Sequence, residues 1–272
     1  MLFQNRTAFI TGASRGIGKA IALKLAAEGA NIVVVAKSIE EDPKLGGTIQ
    51  SAAAEIEQAG GKALAVQCDI RDEKQIDNAV NKAVEMFGGI DILINNASAI
   101  SLTTTEQTEI KRFDLMHDIN VRGTFFVSKA CIPHLKKGTN PHILTLSPPV
   151  NLDVKWLKNH VAYTITKYNM TLITLGLAAE LKKYNIAANC IWPRTTIATA
   201  AVQNLLGGET LMRMSRKTDI IADAVYYILS KPSTEYTGNA FIDEAVLATE
   251  GITDLDKYSV VPGAKLYQDL FV

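Results

Sequence analysis

Cysteine is scarce in this chain. Its 272 residues contain three, Cys68, Cys131 and Cys190. They are odd in number, far apart and never in a Cys-x-x-Cys pair, which excludes a disulfide framework and a thiolate zinc site. Histidine is equally sparse. His117, His134, His142 and His160 include no pair four apart on one helix beside a carboxylate, so no metal site is expected. Charge of either sign in excess is lacking too, with 28 Lys plus Arg against 28 Asp plus Glu. A protein that grips a phosphate backbone needs a basic surplus, so no nucleic-acid partner is expected. No run approaches the roughly 18 unbroken apolar residues of a membrane span. Residues 1–6 lead straight into an apolar strand without a secretory pattern, and residues 269–272 carry no address or lipidation signal. The expected location is therefore the cytoplasm. Internal repeats and low-complexity tracts are absent.

What is present is enough apolar surface for a large core: 47% of residues are hydrophobic and 21% charged. Apolar, β-branched runs recur at 7–11, 31–36, 63–67, 90–94, 143–147, 186–191 and 240–242. Most are continuous rather than alternating, as strands buried on both faces are. Helix-period segments at 16–28, 48–59, 72–87, 109–137, 160–184 and 218–230 lie between them. Alternation of this kind predicts an α/β, three-layer, doubly wound Rossmann-type fold with a seven-stranded parallel sheet. No linker divides the chain, so residues 1–272 are expected to form one catalytic domain. Residues 38–48, with Pro43, Gly46 and Gly47, read as a surface excursion. Residues beyond about 255 read as an irregular tail.

The first run ends in Thr11-Gly12-Ala13-Ser14-Arg15-Gly16-Ile17-Gly18, opening a helix. In such a loop Gly12 permits a tight turn, Gly16 lets backbone approach a pyrophosphate, and Gly18 lets the helix pack close to the sheet. The helix N-terminus offers free N–H groups to phosphate. An NAD-preferring site places a carboxylate about 20 residues past the loop, for the ribose 2′-hydroxyl. Here that place holds Ala36 and then Lys37, and Arg15 lies in the loop itself. Cations there favour NADP(H) over NAD(H); the alternative is that both are merely solvated.

Tyr163 precedes Lys167 by four residues on a helix-period segment, so both share one helix face. A free tyrosine titrates near 10 and is a poor acid or base at neutral pH. A nearby ammonium favours the phenolate. Such a pair can give a proton to a carbonyl oxygen or take one from an alcohol.

The combination of Thr11–Gly18, Asp69, Asn95-Asn96-Ala97, Asn120, Ser147 and Tyr163 with Lys167 resembles the short-chain dehydrogenase/reductase superfamily from Thr7 to about Asp243. The quirks Asn95–Ser101, Ser147-Pro148-Pro149 and Trp192-Pro193-Arg194-Thr195 are similar to its hydroxysteroid dehydrogenase-like protein 2 subgroup, here without that subgroup's lipid-carrier domain or peroxisomal signal. The resemblance implies that Tyr163 is the acid/base and that Lys167 lowers its pKa and holds the nicotinamide ribose. It implies that Ser147 orients the substrate oxygen and that Asn120 anchors a water leading to Lys167. Asp69 would meet the adenine amine and Asn95 the adenosine ribose. Further cofactor contacts are implied at Ser14, Ile17, Ile70, Asn96, Ala97, Pro193, Ile197 and Thr199. Each has a plainer reading: Ser147 capping a strand end, Asn120 facing water, Asp69 in a turn before a helix.

Three departures stand out. Tyr163 follows Ser147 by 16 positions, a longer gap than the family's, Ser98 replaces a glycine, and Arg194 follows Pro193 where the family has glycine. Residues 195–217, rich in Ile197, Val202, Leu205, Leu211 and Met214, correspond to the family's lid over the substrate cleft. An apolar lid suits an apolar ketone or alcohol, such as a fatty, isoprenoid or steroid-like compound; ordinary core packing would also explain it. The helix at 160–184 is apolar on two sides, which suggests a homodimer or homotetramer, or cover by another helix of the same chain. The expected function is an NADP(H)-dependent oxidoreductase acting on a carbonyl or alcohol. Its rival is a catalytically silent NADP(H)-binding sensor or scaffold.

Overall fold

A computed structural model describes residues 1–272. The apolar runs form β1 (Thr7–Thr11), β2 (Asn31–Ala36), β3 (Lys62–Gln67), β4 (Ile92–Asn95), β5 (His142–Leu146), β6 (Ala187–Trp192) and β7 (Ala240–Ile242). All pairs are parallel and the order is β3-β2-β1-β4-β5-β6-β7. The helices are α1 (Gly16–Ala27), α2 (Ile49–Gln58), α3 (Glu73–Phe87), α4 (Ile110–Met116), α5 (Thr124–Leu135), α6 (Val161–Leu181), α7 (Gly208–Arg213), α8 (Asp219–Ser230) and α9 (Asp243–Thr249).

The pleat sorts the strands' side chains into two layers. Ala8, Ile10, Ile32, Val34, Ile92 and Ile94 pack with Ile21, Leu25, Ile56, Ile221 and Val225 of α1, α2 and α8. Phe9, Val33, Val35, Leu93 and Ile143 pack with Ile76, Val80, Val127, Cys131 and Leu181 of α3, α5 and α6. Both faces are covered, which is why the runs read as continuous rather than alternating. From β1 the chain steps outward to β2 and β3, then returns to place β4 on the other side of β1. The loops leaving β1 and β4 diverge there, opening a crevice at the carboxyl ends of the strands.

Two elements differ from the sequence reading. The helix expected at 109–137 is three pieces: α4, a π-helical turn over His117–Gly123, and α5. At its centre Asn120 is fully buried. Its Oδ1 accepts from the Ala99 N–H (2.7 Å), and its Nδ2 donates to the Ala99 carbonyl (2.9 Å) and to Thr166 Oγ1 (3.0 Å). Tertiary hydrogen bonds to a buried amide thus fix a widened turn that periodicity does not reveal. Past residue 255 the chain is irregular but pinned. Thr195 and Gln268 form an antiparallel bridge, and Tyr258 and Phe271 are buried. No helix is long and apolar enough to cross a membrane.

Candidate active site

The loop between β1 and α1 uses its glycines as their positions demand. Gly12 and Gly16 have φ of +66° and +56°, the left-handed region that side chains disfavour. At Gly18 a Cβ would lie 2.4 Å from Asn96 Nδ2 and 2.6 Å from the Gly12 carbonyl oxygen. The Asn96 amide occupies that space in order to donate to the carbonyls of Thr11 (2.9 Å) and Gly12 (3.0 Å). Thr11 Oγ1 in turn accepts from the N–H groups of Asn96 and Ala97. The ends of β1 and β4 are therefore stitched together on the floor of the crevice.

A cavity of about 490 Å³ opens above this floor. Gly12, Ser14, Arg15, Gly16, Ile17, Lys37, Asp69, Ile70, Asn96, Ala97 and Thr199 line it, as the sequence leads one to expect of a dinucleotide site. At one corner Arg15 donates to Ser38 Oγ (2.5 Å) and to Ser14 Oγ (3.3 Å), while its Nη1 is buried without a partner. Lys37 is exposed beside it. An unpartnered guanidinium donor next to a second cation is a fit for a phosphate. The Asp69 carboxylate is already held by Arg71, whose Nε lies 2.9 Å from Oδ1, and this pairing keeps the carboxyl below its usual range.

A second cavity, of about 750 Å³, adjoins the first; Ile17, Asn96, Ser98 and Thr199 belong to both walls. Tyr163, Lys167, Pro193 and Ile197 line it, together with Leu205, Leu206, Leu211 and Met214 from residues 195–217. The helical register of α6 brings Tyr163 and Lys167 to one chamber. Lys167 Nζ donates to the Leu146 carbonyl (2.6 Å), and burial pulls the ammonium down to about 7, against the favourable charges of Cys190 and Asp269. Burial, aided by the charge of Asp269, pushes the Tyr163 phenol above its ordinary value. The phenol is thus held in its protonated form. The Lys167 ammonium is bonded to the Leu146 carbonyl rather than to the phenol.

Ser147 is the main correction. Its side chain is fully buried and lines neither cavity. The Thr171 hydroxyl donates to Ser147 Oγ across 2.9 Å, with the Pro148 carbonyl oxygen 2.7 Å from the same hydroxyl. Thr171 lies two helical turns beyond Tyr163, roughly 12 Å along α6. Ser147 therefore does not share an oxygen atom with Tyr163. The next residue toward the mouth, Pro148, has no hydroxyl. Asn120 also lines neither cavity. Both its amide hydrogens are taken, and through Thr166, which donates to the Tyr163 carbonyl (2.8 Å), it positions α6 rather than holding a water with its side chain. Asn95 is buried and donates to Ser128 Oγ (3.0 Å), turned away from the ribose place expected for it.

Sequence reasoning missed one group. Asp269 joins Tyr163 and Lys167 on the second cavity's wall. The segment carrying it is held by Asp269 N–H to the Arg194 carbonyl (3.1 Å) and by Trp192 Nε1 to the Leu270 carbonyl (2.9 Å). Phe271 packs into the aromatic cluster of Trp156, Tyr163, Tyr168 and Trp192. No local pattern announces this contact, which joins the last residues of the sequence to the middle of α6.

Residues 6–209 match the family model described as short chain dehydrogenase. The chain belongs to the short-chain dehydrogenase/reductase family. The chain is 59% identical over 98% of its length to the Danio rerio protein named hydroxysteroid dehydrogenase-like protein 2, and covers 63% of that longer protein. A crystal structure of a putative dehydrogenase from Xanthomonas campestris superposes on this chain with a TM-score of 0.96 at 50% identity, covering 100% of this chain and 99% of that one. A Burkholderia cenocepacia short chain dehydrogenase, solved in complex with NADP, gives a TM-score of 0.73 at 27% identity, covering 89% and 97%. Members of this family use a nicotinamide dinucleotide, and the glycine loop, the Arg15 corner and the first cavity fit one.

Proposed function

We propose that the dehydrogenase is an NADP(H)-dependent carbonyl reductase or alcohol dehydrogenase acting on an apolar small molecule, fatty, isoprenoid or steroid-like. The observation that carries this reading is the convergence of Tyr163 and Lys167 on an apolar chamber that shares a wall with the dinucleotide cavity. The bound cofactor supplies or accepts the hydride. Tyr163 holds the proton that a reduced carbonyl oxygen must receive, and its burial keeps that proton on the phenol until substrate arrives. Lys167, buried between Leu146 and Trp192, faces the same chamber, where its charge favours loss of the Tyr163 proton to substrate and it holds the nicotinamide ribose. Arg15 and Lys37 hold the 2′-phosphate that distinguishes NADP(H), a preference that the NADP-bound Burkholderia relative supports. The apolar side chains of residues 195–217 cover the substrate, and residues 1–272 act as one catalytic unit.

The exposed α6 face around Leu172, 56% accessible, supports assembly as a homodimer or homotetramer. A cytoplasmic location is part of the same proposal. One observation favours the rival reading of a silent NADP(H)-binding sensor: the serine hydroxyl is withdrawn from the chamber. The test is NADPH oxidation with a panel of aliphatic, terpenoid and steroid ketones, run with wild type and Tyr163→Phe. Turnover by the wild type alone supports the reductase. NADPH binding without turnover of any ketone by either protein establishes the sensor.

A further inference from the structure

The ionisable side chains on the wall of the second cavity are Tyr163, Lys167, Tyr267 and Asp269, so Asp269 is its sole carboxyl. The place of that carboxyl is fixed. Its main-chain N–H donates to the Arg194 carbonyl, its Oδ1 accepts from the Leu270 N–H (2.6 Å), and Phe271 packs two residues on, 6.2 Å from the Tyr163 ring. Oδ2 has no protein hydrogen-bond partner. A reacting carbonyl oxygen at Tyr163 does not meet the Ser147 hydroxyl, which is bonded to Thr171, and Pro148 has none to offer; Ser98, the one serine on the chamber wall, turns its hydroxyl to the Ala99 carbonyl (3.5 Å).

We propose that the Asp269 carboxyl supplies the missing contact, donating a hydrogen bond to the substrate carbonyl oxygen that Tyr163 protonates. The inference rests on the reductase reading above. In its protonated form, which prevails below about pH 7, Asp269 keeps its proton through the reaction: Tyr163 gives the proton that ends on the alcohol oxygen, the reduced cofactor would give the hydride to carbon, and Asp269 only polarises the C=O bond. The groups facing it are Tyr163 and Lys167 from α6 and Asp243 from the start of α9. Burial and the charge of Asp243 push its carboxyl up to about 7, against the Leu270 N–H and Lys167. An un-ionised carboxyl in an apolar chamber is a competent donor.

The experiment uses 2-decanone labelled with ¹³C at the carbonyl, at saturation on the NADPH-loaded protein at pH 6, with infrared detection of the C=O stretch. Tyr163→Phe blocks turnover and removes the first donor. Tyr163→Phe/Asp269→Asn retains an amide donor and the Leu270 turn, and Tyr163→Phe/Asp269→Leu removes the second donor. NADPH fluorescence titration checks that each variant is folded. The expected result is a stretch lowered in frequency in Tyr163→Phe and in the Asn double variant, and returned toward the free ketone in the Leu double variant. In the Tyr163-containing protein, Asp269→Leu is expected to cut kcat for 2-decanone by at least about tenfold with NADPH affinity unchanged, and Asp269→Asn to restore much of it. The same stretch in all three Phe variants, or full kcat in Asp269→Leu, overturns the role of Asp269 and leaves the reductase intact. Failure of the ketone to bind any variant overturns it as well. Failure of wild type to reduce any ketone of the panel overturns the reductase reading itself.

Discussion

The Lys167 ammonium donates to the Leu146 carbonyl at 2.6 Å and more weakly to Met170 Sδ at 3.4 Å, so the end of β5 and its own helix, not Tyr163, hold it. Burial lowers its pKa from 10.5 to about 7. A cation whose folded pKa is depressed destabilises the fold fully below the lower value, and the penalty fades as pH rises toward 10.5. Lys167→Met removes that penalty while leaving the Leu146 carbonyl without its donor. The expected net is a gain of about 1–2 kcal/mol at pH 6 that shrinks or reverses by pH 9. Urea unfolding at both values measures it, and NADPH oxidation in the same variant should fall by at least about a hundredfold.

Ser147→Ala deletes a hydroxyl that meets Thr171 rather than substrate. Its kcat should stay within about twofold of wild type, and its stability should fall by about 1 kcal/mol for the lost buried hydrogen bond. Steady-state kinetics beside a urea melt decides the point. A hundredfold loss of kcat with unchanged stability would return Ser147 to the chemistry.

Arg15→Leu removes the unpartnered Nη1 at the corner of the first cavity. The Kd for NADPH should rise by about tenfold or more, the worth of a charge-assisted contact to phosphate, while that for NADH moves little. Calorimetric titration with the two nucleotides reads the difference. Equal losses for both would place Arg15 at the shared pyrophosphate, and a wild type that prefers NADH would remove the NADP(H) assignment.

His142 is fully buried on β5, its Nε2 3.1 Å from the Lys231 carbonyl and its Nδ1 unpartnered. Burial, with the charge of Arg6, lowers its pKa to about 4. The folded state thus resists protonation that the unfolded chain accepts. Stability is complete above 6.5 and is lost as pH falls from 6.5 toward 4, by up to about 3 kcal/mol. His142→Gln should flatten that part of the profile in thermal or urea unfolding between pH 7 and 4.

The sheet was legible because burial on both faces leaves unbroken β-branched runs, and the glycine loop because Gly12 and Gly16 need conformations that other residues avoid. The same two-sided burial hides which face of a strand meets which helix. Apolar Leu144, Leu146 and Pro148 alternate with Thr145 and Ser147, but sequence does not say that the polar face of this strand is the one packed on α6, where Ser147 meets Thr171 and Thr145 meets Thr174. The turn at Asn120 adds a residue to a helix without a compositional mark, because distant Ala99 and Thr166 hold it. Asp269 reaches the chamber through the Arg194 main chain and an aromatic cluster, contacts with no periodicity to find.

Ile17, Asn96, Ser98 and Thr199 stand between the two chambers and face both. A bulkier residue at any of them narrows both chambers together, and with them, on the proposed reading, the room for nucleotide and for ketone. Redesign of substrate preference in this scaffold is therefore freest at the far wall, around Leu206, Leu211 and Met214, where a change of shape leaves the dinucleotide's seat untouched.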